Sequence, residues 1–313
     1  MAEDPKSFYS TLKNINVDGP ENLERVAAKK SVAAAYDGLA ASMEGSLWNF
    51  GLHDDAVARA IEDRIPGFVN LHTDGFSEQL YFFTLRQVPL AFEDYQDKTV
   101  LEVGCGCGGG LNFLSRTIDA PTMVGLDLSA DAVRRANSVF ARGERLRYIQ
   151  GDAEELPNGD GEVDVIINIE SAHNYPDVGA FLAEVARVLK PGGYFSHVDL
   201  YTARRFKDVQ QAKTGIPDLE WIEERDITKE VSAAVWQRME PDSFLRTRIE
   251  EKLKTLPPIV RPQLRVLMLG GFGARFVGYK QKEGLARLMN KLGPGLPPDL
   301  PFESYRLSVA RKR

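Results

Sequence analysis

Cysteine, histidine and excess positive charge are scarce in this sequence of 313 residues. It contains two cysteines and four histidines, and its formal net charge at pH 7 is −6. Only one residue separates Cys105 from Cys107, so a disulfide between them would be strained. No further cysteine and no histidine cluster completes a zinc-binding set. The sequence therefore excludes a disulfide-based scaffold, and we expect no metal site.

Long apolar runs and targeting patterns are also missing. No run approaches the roughly 20 apolar residues that a membrane-spanning helix needs. The first residues, MAEDPKSFYSTLKN, show neither a basic segment followed by an apolar one nor an Arg-rich face. The acidic balance disfavours nucleic acid as a partner, because phosphate binding requires concentrated lysine and arginine. We expect a cytoplasmic protein without membrane insertion, and the sequence leaves homodimer formation open.

The pattern of the chain changes twice. Residues 1–90 are rich in helix-forming segments, with the irregular SLWNFGLHDDA between two of them, and we predict a helical arm or lid. Residues 91–227 alternate short β-branched runs with helix-length segments, which is typical of parallel strands joined by right-handed crossovers. Residues 228–300 predict a helical cap, and residues 301–313 alternate like a strand. The whole predicts an α/β fold with a mostly parallel seven-stranded sheet, closed at one edge by the last, antiparallel strand.

A glycine-rich turn, VLEVGCGCGGG, joins the first strand candidate to a helix candidate. Gly104, Gly106 and Gly109 satisfy the dinucleotide-binding pattern G-x-G-x-x-G, which alone is a weak signal. The same turn also forms an E-x-G-x-G-x-G series that begins at Glu102. In that series an acid lies near the bend, and the missing Cβ atoms of Gly104 and Gly106 let a ligand approach the backbone. A dehydrogenase nucleotide and S-adenosylmethionine are the two ligands that this turn suggests.

Further acids follow the next two strand candidates. S-adenosylmethionine has no phosphate but carries an amino acid, a sulfonium and an adenosine. Asp127 is suited to accept both ribose hydroxyls, and Leu128 to cover one face of the adenine. Asp152 can accept from the adenine amino group, and Ala153 can supply a backbone donor. The carboxyl ends of parallel strands meet at one edge of a sheet, where open α/β sheets bind ligands.

Five segments in this order and spacing resemble the class I S-adenosylmethionine-dependent methyltransferases: VLEVGCGCGGG, GLDLS, GDAEELP, VDVIINIESAHNYPD and RVLKPGGYF. More narrowly, they resemble the small-molecule methyltransferases related to phthiotriol O-methyltransferase. The resemblance covers residues 100–199 and is looser in the arm and the cap. It implies a Rossmann-like fold, S-adenosylmethionine as the cofactor, and methylation of a hydroxyl on an apolar lipid or secondary metabolite.

The cofactor contacts that we expect combine this resemblance with the residue chemistry above. Tyr36 resembles a tyrosine that related methyltransferases fold over the sulfonium. The expected cofactor-binding residues are Tyr36, Glu102, Gly104, Cys105, Gly106, Asp127, Leu128, Asp152, Ala153, Asn168, Ile169 and Glu170. Acceptor contacts are left open, because aromatic residues of the arm and cap fit either an acceptor pocket or an ordinary core.

Catalysis is predicted for the segment INIESAHNYP, after the fourth strand candidate. Histidine titrates near neutrality, and the family has a histidine at this position, so His173 is the expected general base for a hydroxyl acceptor. Its alternative role is a helix-entry histidine bonded to backbone. Asp199 either orients His173, binds the acceptor or caps a helix, and His197 is expected to be a packed sheet residue. Transfer to carbon or nitrogen, and a non-catalytic cofactor-binding module, remain alternative functions.

Overall fold

The computed structural model describes Lys29 and residues 49–68, 73–279 and 302–313. Within them, seven strands form one sheet: β1 (Thr99–Val103), β2 (Thr122–Asp127), β3 (Leu146–Gln150), β4 (Val163–Ile169), β5 (Leu189–Tyr201), β6 (Leu219–Asp226) and β7 (Ser304–Lys312). Their order across the sheet is β3-β2-β1-β4-β5-β7-β6. The first five are parallel, and β7 is antiparallel to both of its neighbours. The predicted Rossmann-like α/β fold with a mostly parallel seven-stranded sheet is confirmed.

Helices flank the sheet and extend beyond it. They are α1 (Asp55–Arg64), α2 (Phe76–Arg86), α3 (Gly109–Leu114), α4 (Ala130–Phe140), α5 (Val178–Val188), α6 (Ala203–Thr214), α7 (Thr228–Met239), α8 (Phe244–Lys254) and α9 (Arg261–Gly271). Helices α3 to α6 alternate with the strands of the core. Helices α7 to α9 lie in the segment predicted as a cap. Among the described residues, no helix is both long enough and apolar enough to cross a membrane.

The last strand is not at an edge of the sheet, so that prediction was wrong. Strand β7 lies between β5 and β6, and its Leu307 pairs with Val198 on one side and Arg225 on the other. Tyr305, Leu307 and Val309 are fully buried in the apolar cluster on one face of the sheet. The edge strand on this side of the sheet is β6, where the sequence LEWIEERD places charged side chains toward solvent. Charge of this kind protects an edge from pairing with other chains.

Apolar side chains cover both faces of the sheet. Along β1, Val100 belongs to one buried cluster, while Leu101 and Val103 belong to the cluster on the opposite face. Side chains alternate between faces along a strand, so Glu102 points to the same face as Val100. Helix α2 contributes Tyr81 to that face. Glu102, near the carboxyl end of β1, is thereby enclosed on a face that α2 covers.

A buried arginine joins the arm to the cap. Arg238 of α7 is 3% exposed, and its guanidinium forms an ion pair with Asp74 at 2.7 Å. It also donates to the Asn49 carbonyl at 2.8 Å and to the Ser77 hydroxyl at 2.9 Å. The loop of residues 49–54, which was predicted to be irregular, is bonded to α7 through the Asn49 carbonyl and through the His53 N–H, which donates to the Glu230 carbonyl at 3.1 Å.

Several predictions concern residues outside the described part of the chain. Tyr36, most of the predicted arm from 1 to 48, and the part of the predicted cap from 280 to 301 belong to this group. The expected role of Tyr36 therefore stays a prediction.

Candidate active site

The three glycines at alternate positions of the turn, Gly104, Gly106 and Gly108, differ in what surrounds them. All have positive φ: +78° at Gly104, +52° at Gly106 and +81° at Gly108. A Cβ at Gly104 would overlap Ser171, and a Cβ at Gly108 would lie 2.6 Å from the Tyr148 ring. A Cβ at Gly106 would meet nothing within 4 Å. Protein side chains fill the space at the outer two glycines, so only Gly106 leaves room for a ligand to approach the backbone.

Asp127, at the end of β2, orders the glycine turn. One carboxylate oxygen accepts from the Gly106 N–H at 2.8 Å, and the other accepts from the Ser129 N–H at 2.9 Å. A carboxylate oxygen can accept more than one hydrogen bond, so these contacts are compatible with further donors such as hydroxyls. The structure thus brings Asp127 and Gly106 together as predicted neighbours at the carboxyl end of the sheet.

Glu102 is a buried acid with one oxygen that accepts no hydrogen bond from the described residues. It is fully buried, and its Oε1 accepts from the Tyr81 hydroxyl at 2.8 Å. Its Oε2 is also buried and has no hydrogen-bond partner among the described residues. Burial is the main reason that the pKa of Glu102 rises to about 8, and the charge of Asp127 adds to the effect. A cationic donor beside Oε2 would satisfy this atom and favour the carboxylate form.

Cys105, in the same turn, is a small buried thiol. It is 5% exposed, and burial raises its pKa well above the usual range. The neutral thiol is a weak nucleophile and metal ligand. Among the described residues, no group of three or more histidine, cysteine or acidic side chains is arranged to hold a metal ion.

Asp152, in the turn after β3, forms an ion pair with the arm. Its carboxylate accepts from the Lys29 ammonium at 2.5 Å, and Lys29 also reaches Glu154 at 2.8 Å. The position predicted for the adenine amino group is therefore shared with a lysine located more than a hundred residues earlier. Sequence reasoning missed Lys29, because nothing in a helical arm pattern indicates which lysine will meet the core.

Asn168 links strands through its side chain. Its amide donates to the Val103 carbonyl at 2.8 Å and to the Ser171 hydroxyl at 2.6 Å, and its oxygen contacts His197 Nδ1 at 2.8 Å. The side chain is fully buried and committed to β1 and β5. A cofactor contact at this position would have to come from the backbone, and the roles of Asn168 and Ile169 in binding stay predictions.

His197 is a packed sheet residue, as expected. It is 2% exposed, and its Nε2 lies 2.6 Å from the Tyr201 hydroxyl. Burial lowers its pKa to about 4, which keeps the ring neutral at physiological pH. A histidine held in this way is a structural link and not a proton acceptor for a ligand.

His173 and Asp199 form a hydrogen-bonded pair at the carboxyl ends of β4 and β5. His173 Nδ1 lies 2.6 Å from one Asp199 oxygen, and the His173 backbone N–H donates to the other at 2.8 Å. Burial alone would raise the pKa of Asp199, but the charge of His173 and its hydrogen bond lower it below the usual value. Because an ionised carboxylate only accepts, His173 Nδ1–H donates to it, and in the neutral ring this leaves Nε2 as an acceptor. Asp199 both orients the ring and holds the backbone of the turn.

The Nε2 atom of His173 already has a neighbour in this structure. The Asn174 side-chain amide lies 2.9 Å away, and with Nδ1 protonated it acts as the donor. Phe302 packs edge-on against the ring, with 6.3 Å between the ring centroids. An acceptor hydroxyl that gives its proton to Nε2 has to replace the Asn174 amide.

Glu170 follows β4 with an unusual backbone. Its φ of +49° makes it the only non-glycine residue with positive φ in the described part of the chain. Its Oε1 accepts from the Phe50 N–H at 2.6 Å and from the Tyr305 hydroxyl. Burial is the main reason that its pKa rises to about 7. Phe50 and Tyr81, two aromatic residues of the predicted arm, both donate to acids of the site, Phe50 through its backbone N–H. The contact of Tyr305 was not predicted.

An aromatic wall lies next to Glu170. The Phe50 ring is 5.7 Å from the Phe276 ring and 6.3 Å from the Tyr305 ring, centroid to centroid. These three rings come from the arm loop, the segment after α9 and the last strand. Such a wall suits an apolar acceptor and excludes water from nearby polar groups.

Comparison with known proteins gives matches to the core and to the fold. Residues 101–197 match the family model described as a methyltransferase domain. The chain is 42% identical over 161 residues to a fatty-acid O-methyltransferase of Mycolicibacterium smegmatis, which covers 50% of this chain and 54% of the relative. It is 40% identical over 152 residues to phthiotriol/phenolphthiotriol dimycocerosates methyltransferase of Mycobacterium tuberculosis, covering 49% and 54%.

Among solved structures, the fold resembles geranyl diphosphate C-methyltransferase from Streptomyces coelicolor A3(2). The TM-score is 0.59 at 17% identity, with 91% of this chain and 98% of the other covered. At that identity the likeness shows a shared fold alone. The chain spans about half the length of the curated relatives that it matches. Together these matches confirm the predicted resemblance to class I S-adenosylmethionine-dependent methyltransferases.

Proposed function

We propose that the protein transfers a methyl group from S-adenosylmethionine to a hydroxyl of an apolar lipid or secondary metabolite. The observation that carries the proposal is the open space beside Gly106, in a turn whose N–H is bonded to Asp127 and whose preceding strand carries the buried Glu102. The two relatives, a fatty-acid O-methyltransferase and a phthiotriol dimycocerosates methyltransferase, support a lipid acceptor.

The residues of the turn suit this cofactor better than a dinucleotide. Among the described residues Oε2 of Glu102 has no hydrogen-bond partner, so an α-ammonium would satisfy this buried atom. Two acids beside the turn would repel a pyrophosphate, which helix N-termini bind because of their positive partial charge. We expect Asp127 to accept from the ribose hydroxyls and Asp152 to accept from the adenine amine. When bound, S-adenosylmethionine supplies a methyl group activated by a positively charged sulfur.

The acceptor side of the site then has to orient a hydroxyl and receive its proton. His173, oriented by Asp199, is the predicted general base, and its Nε2 takes the proton after the Asn174 amide has moved away. General bases contribute typically about 10²- to 10⁴-fold to such reactions. The aromatic wall around Phe50 keeps water from competing with the acceptor.

The test of the cofactor site is calorimetric titration with S-adenosylhomocysteine. Gly106→Val should weaken binding about 10²-fold or more, because the side chain fills the ligand's space and strains the turn. Gly143→Val is the matched control: Gly143 has φ +59° and likewise meets nothing within 4 Å, but it lies in another loop. The control should lose a similar amount of stability and bind normally. Wild-type protein that binds NADH and not S-adenosylhomocysteine would refute the proposal.

One observation favours a second candidate, transfer to nitrogen or carbon. The Asn174 amide occupies His173 Nε2, so a reaction that needs no strong base is compatible with the site as it stands. His173→Ala separates the two: large loss of methylation supports O-transfer, and retention of most activity supports N- or C-transfer. Tight binding of S-adenosylhomocysteine without any methylated product from a lipid extract, detected by mass spectrometry, would instead support a non-catalytic module.

A further inference from the structure

Glu170 is held in position by segments that are distant in sequence. The Phe50 N–H belongs to the arm loop, and the Tyr305 hydroxyl belongs to the last strand; both donate to the same oxygen, Oε1. The Glu170 backbone N–H donates to the Val198 carbonyl at 2.9 Å, which ties the residue to β5. A left-handed backbone at a non-glycine residue persists where its surroundings hold it, and such residues concentrate at functional sites.

The second carboxyl oxygen is used differently. Within the described part of the chain, no donor contacts Oε2 of Glu170, although two donors crowd onto Oε1. Glu170 is partly exposed, and its Oε2 is not fully buried, unlike the unpartnered Oε2 of Glu102. One oxygen is therefore fixed by the protein, and the other is available to a ligand.

Charged and titratable groups surround this carboxyl from four elements. Tyr305 donates to it from β7, and Tyr81 faces it from α2. His173, in the turn after β4, favours the ionised form, whereas Asp199 of β5 opposes it. With burial as the largest influence, the pKa of Glu170 is about 7, so the group exchanges a proton near neutrality. The same region contains the Phe50–Tyr305 aromatic wall, which would face the apolar part of an acceptor.

We propose that Glu170 is a second proton acceptor of the site: while the Asn174 amide occupies His173 Nε2, Oε2 of Glu170 receives the hydroxyl proton of the acceptor instead. Tyr305 is the positioning residue that holds the carboxyl through Oε1. In the step, the acceptor's O–H bond breaks and its proton joins Oε2. The oxygen forms a bond to the methyl carbon, and the electron pair of the broken sulfur–carbon bond stays on the sulfur of the cofactor. The inference rests on the proposed function.

The proposal distinguishes two classes of acceptor. An alcohol keeps its proton at neutral pH and needs a base. A fatty acid is already ionised, needs none, and is repelled by ionised Glu170. Glu170 therefore favours lipid acceptors that carry a hydroxyl group over those that carry a carboxylate.

The first experiment measures methylation of two probes, 1-dodecanol and dodecanoic acid, across pH. Glu170→Gln should lower kcat for dodecanol about 10²-fold and leave the rate for dodecanoic acid unchanged or higher. Glu220→Gln, an exposed glutamate on the edge strand, is the control and should match wild type. Equal methylation of dodecanol by wild type and Glu170→Gln would overturn the inference.

Tyr305→Phe tests the positioning role. Loss of a donor to the ionised carboxyl raises its pKa, so the rising limb of the pH profile should move to higher pH. Tyr95→Phe is the matched control, because the Tyr95 hydroxyl is buried and no described residue bonds to it. An unshifted profile in Tyr305→Phe would contradict the positioning role.

A second readout needs no turnover. Infrared titration of the cofactor-free protein should show a carboxyl band that disappears on ionisation around pH 7, and this band should be missing in Glu170→Gln. Its absence in wild type overturns the inference whatever the activity. Wild type that binds no S-adenosylhomocysteine, or that methylates neither probe, counts against the proposed function and leaves the titration of Glu170 as measured.

Discussion

The two sides of the candidate site are built in different ways. On the cofactor side, Asp127 is held by backbone N–H groups of its own and the neighbouring loop, at Gly106 and Ser129. On the acceptor side, Glu170 is held by Phe50 from the arm and by Tyr305 from the last strand, 120 and 135 residues away. The first side depends on local turns of the parallel sheet. The second exists only when the arm, cap and last strand are assembled, and we expect the two to respond differently to mutation.

Arg238→Ala should cause the largest loss of stability and should disorganise the acceptor side. The change leaves Asp74 without its buried partner and releases the Asn49 carbonyl, which holds the loop next to Phe50. Removing one partner of a buried ion pair costs about 3–5 kcal/mol of stability. Urea unfolding measures this loss. The methylation rate should fall by a larger factor than the affinity for S-adenosylhomocysteine does.

The control for this comparison is Arg225→Ala, whose exposed pair with Glu230 spans 3.4 Å. A surface pair is worth about 0–1 kcal/mol, so this variant should behave like wild type. If Arg238→Ala weakened cofactor binding as strongly as methylation, the two sides would not be independent.

Glu102→Gln tests the cofactor side through the pH dependence of the free energy of unfolding. Burial raises the pKa of Glu102 from an ordinary 4.5 to about 8, so the folded protein keeps a proton that the unfolded chain has lost. Stability therefore falls as pH rises between these two values, and Gln abolishes that part of the fall, about 3 kcal/mol between about pH 5 and pH 8. Glu170 adds a similar dependence up to about pH 7, which the variant retains.

Urea unfolding of wild type and Glu102→Gln at both pH values checks this expectation, with Glu220→Gln as the exposed control. S-adenosylhomocysteine should release a proton on binding to wild type, because its ammonium favours the Glu102 carboxylate. Proton release is measured by calorimetry in buffers of different ionisation enthalpy. Equal proton release in wild type and Glu102→Gln would show that the ammonium does not bind beside Glu102.

The cofactor side was accessible to sequence reasoning because its parts are close along the chain. The spacing of Gly106 and Asp127 from their strands predicts that both lie at the carboxyl edge, and the structure places them in contact. Even there, the sequence did not distinguish Gly106, which borders open space, from Gly104, whose space Ser171 occupies. That difference depends on tertiary packing across β4.

The acceptor side was less accessible for the same physical reason. The pairing of His173 with Asp199 was considered, since both follow adjacent strands. Nothing local indicates that Tyr305 will reach Glu170, and an alternating terminal segment fits an edge strand as well as an inserted one. Its position between β5 and β6 depends on pairing with both strands, which forms only when the sheet is assembled.

Lys29→Ala tests whether the arm also belongs to the cofactor side, and we expect the smallest effect. Lys29 bridges Asp152 and Glu154, but the Lys29 and Asp152 side chains are 23% and 29% exposed, so solvent screens the pair. The loss of stability should stay below about 1 kcal/mol and fade with added salt. S-adenosylhomocysteine affinity should change less than about threefold, as in the control Lys98→Ala, which removes the pair with Asp97. Calorimetry measures this affinity. A loss of affinity of tenfold or more in Lys29→Ala, and not in Lys98→Ala, would show that the arm belongs to the cofactor side. Asp152 would then need Lys29 to be positioned for the adenine.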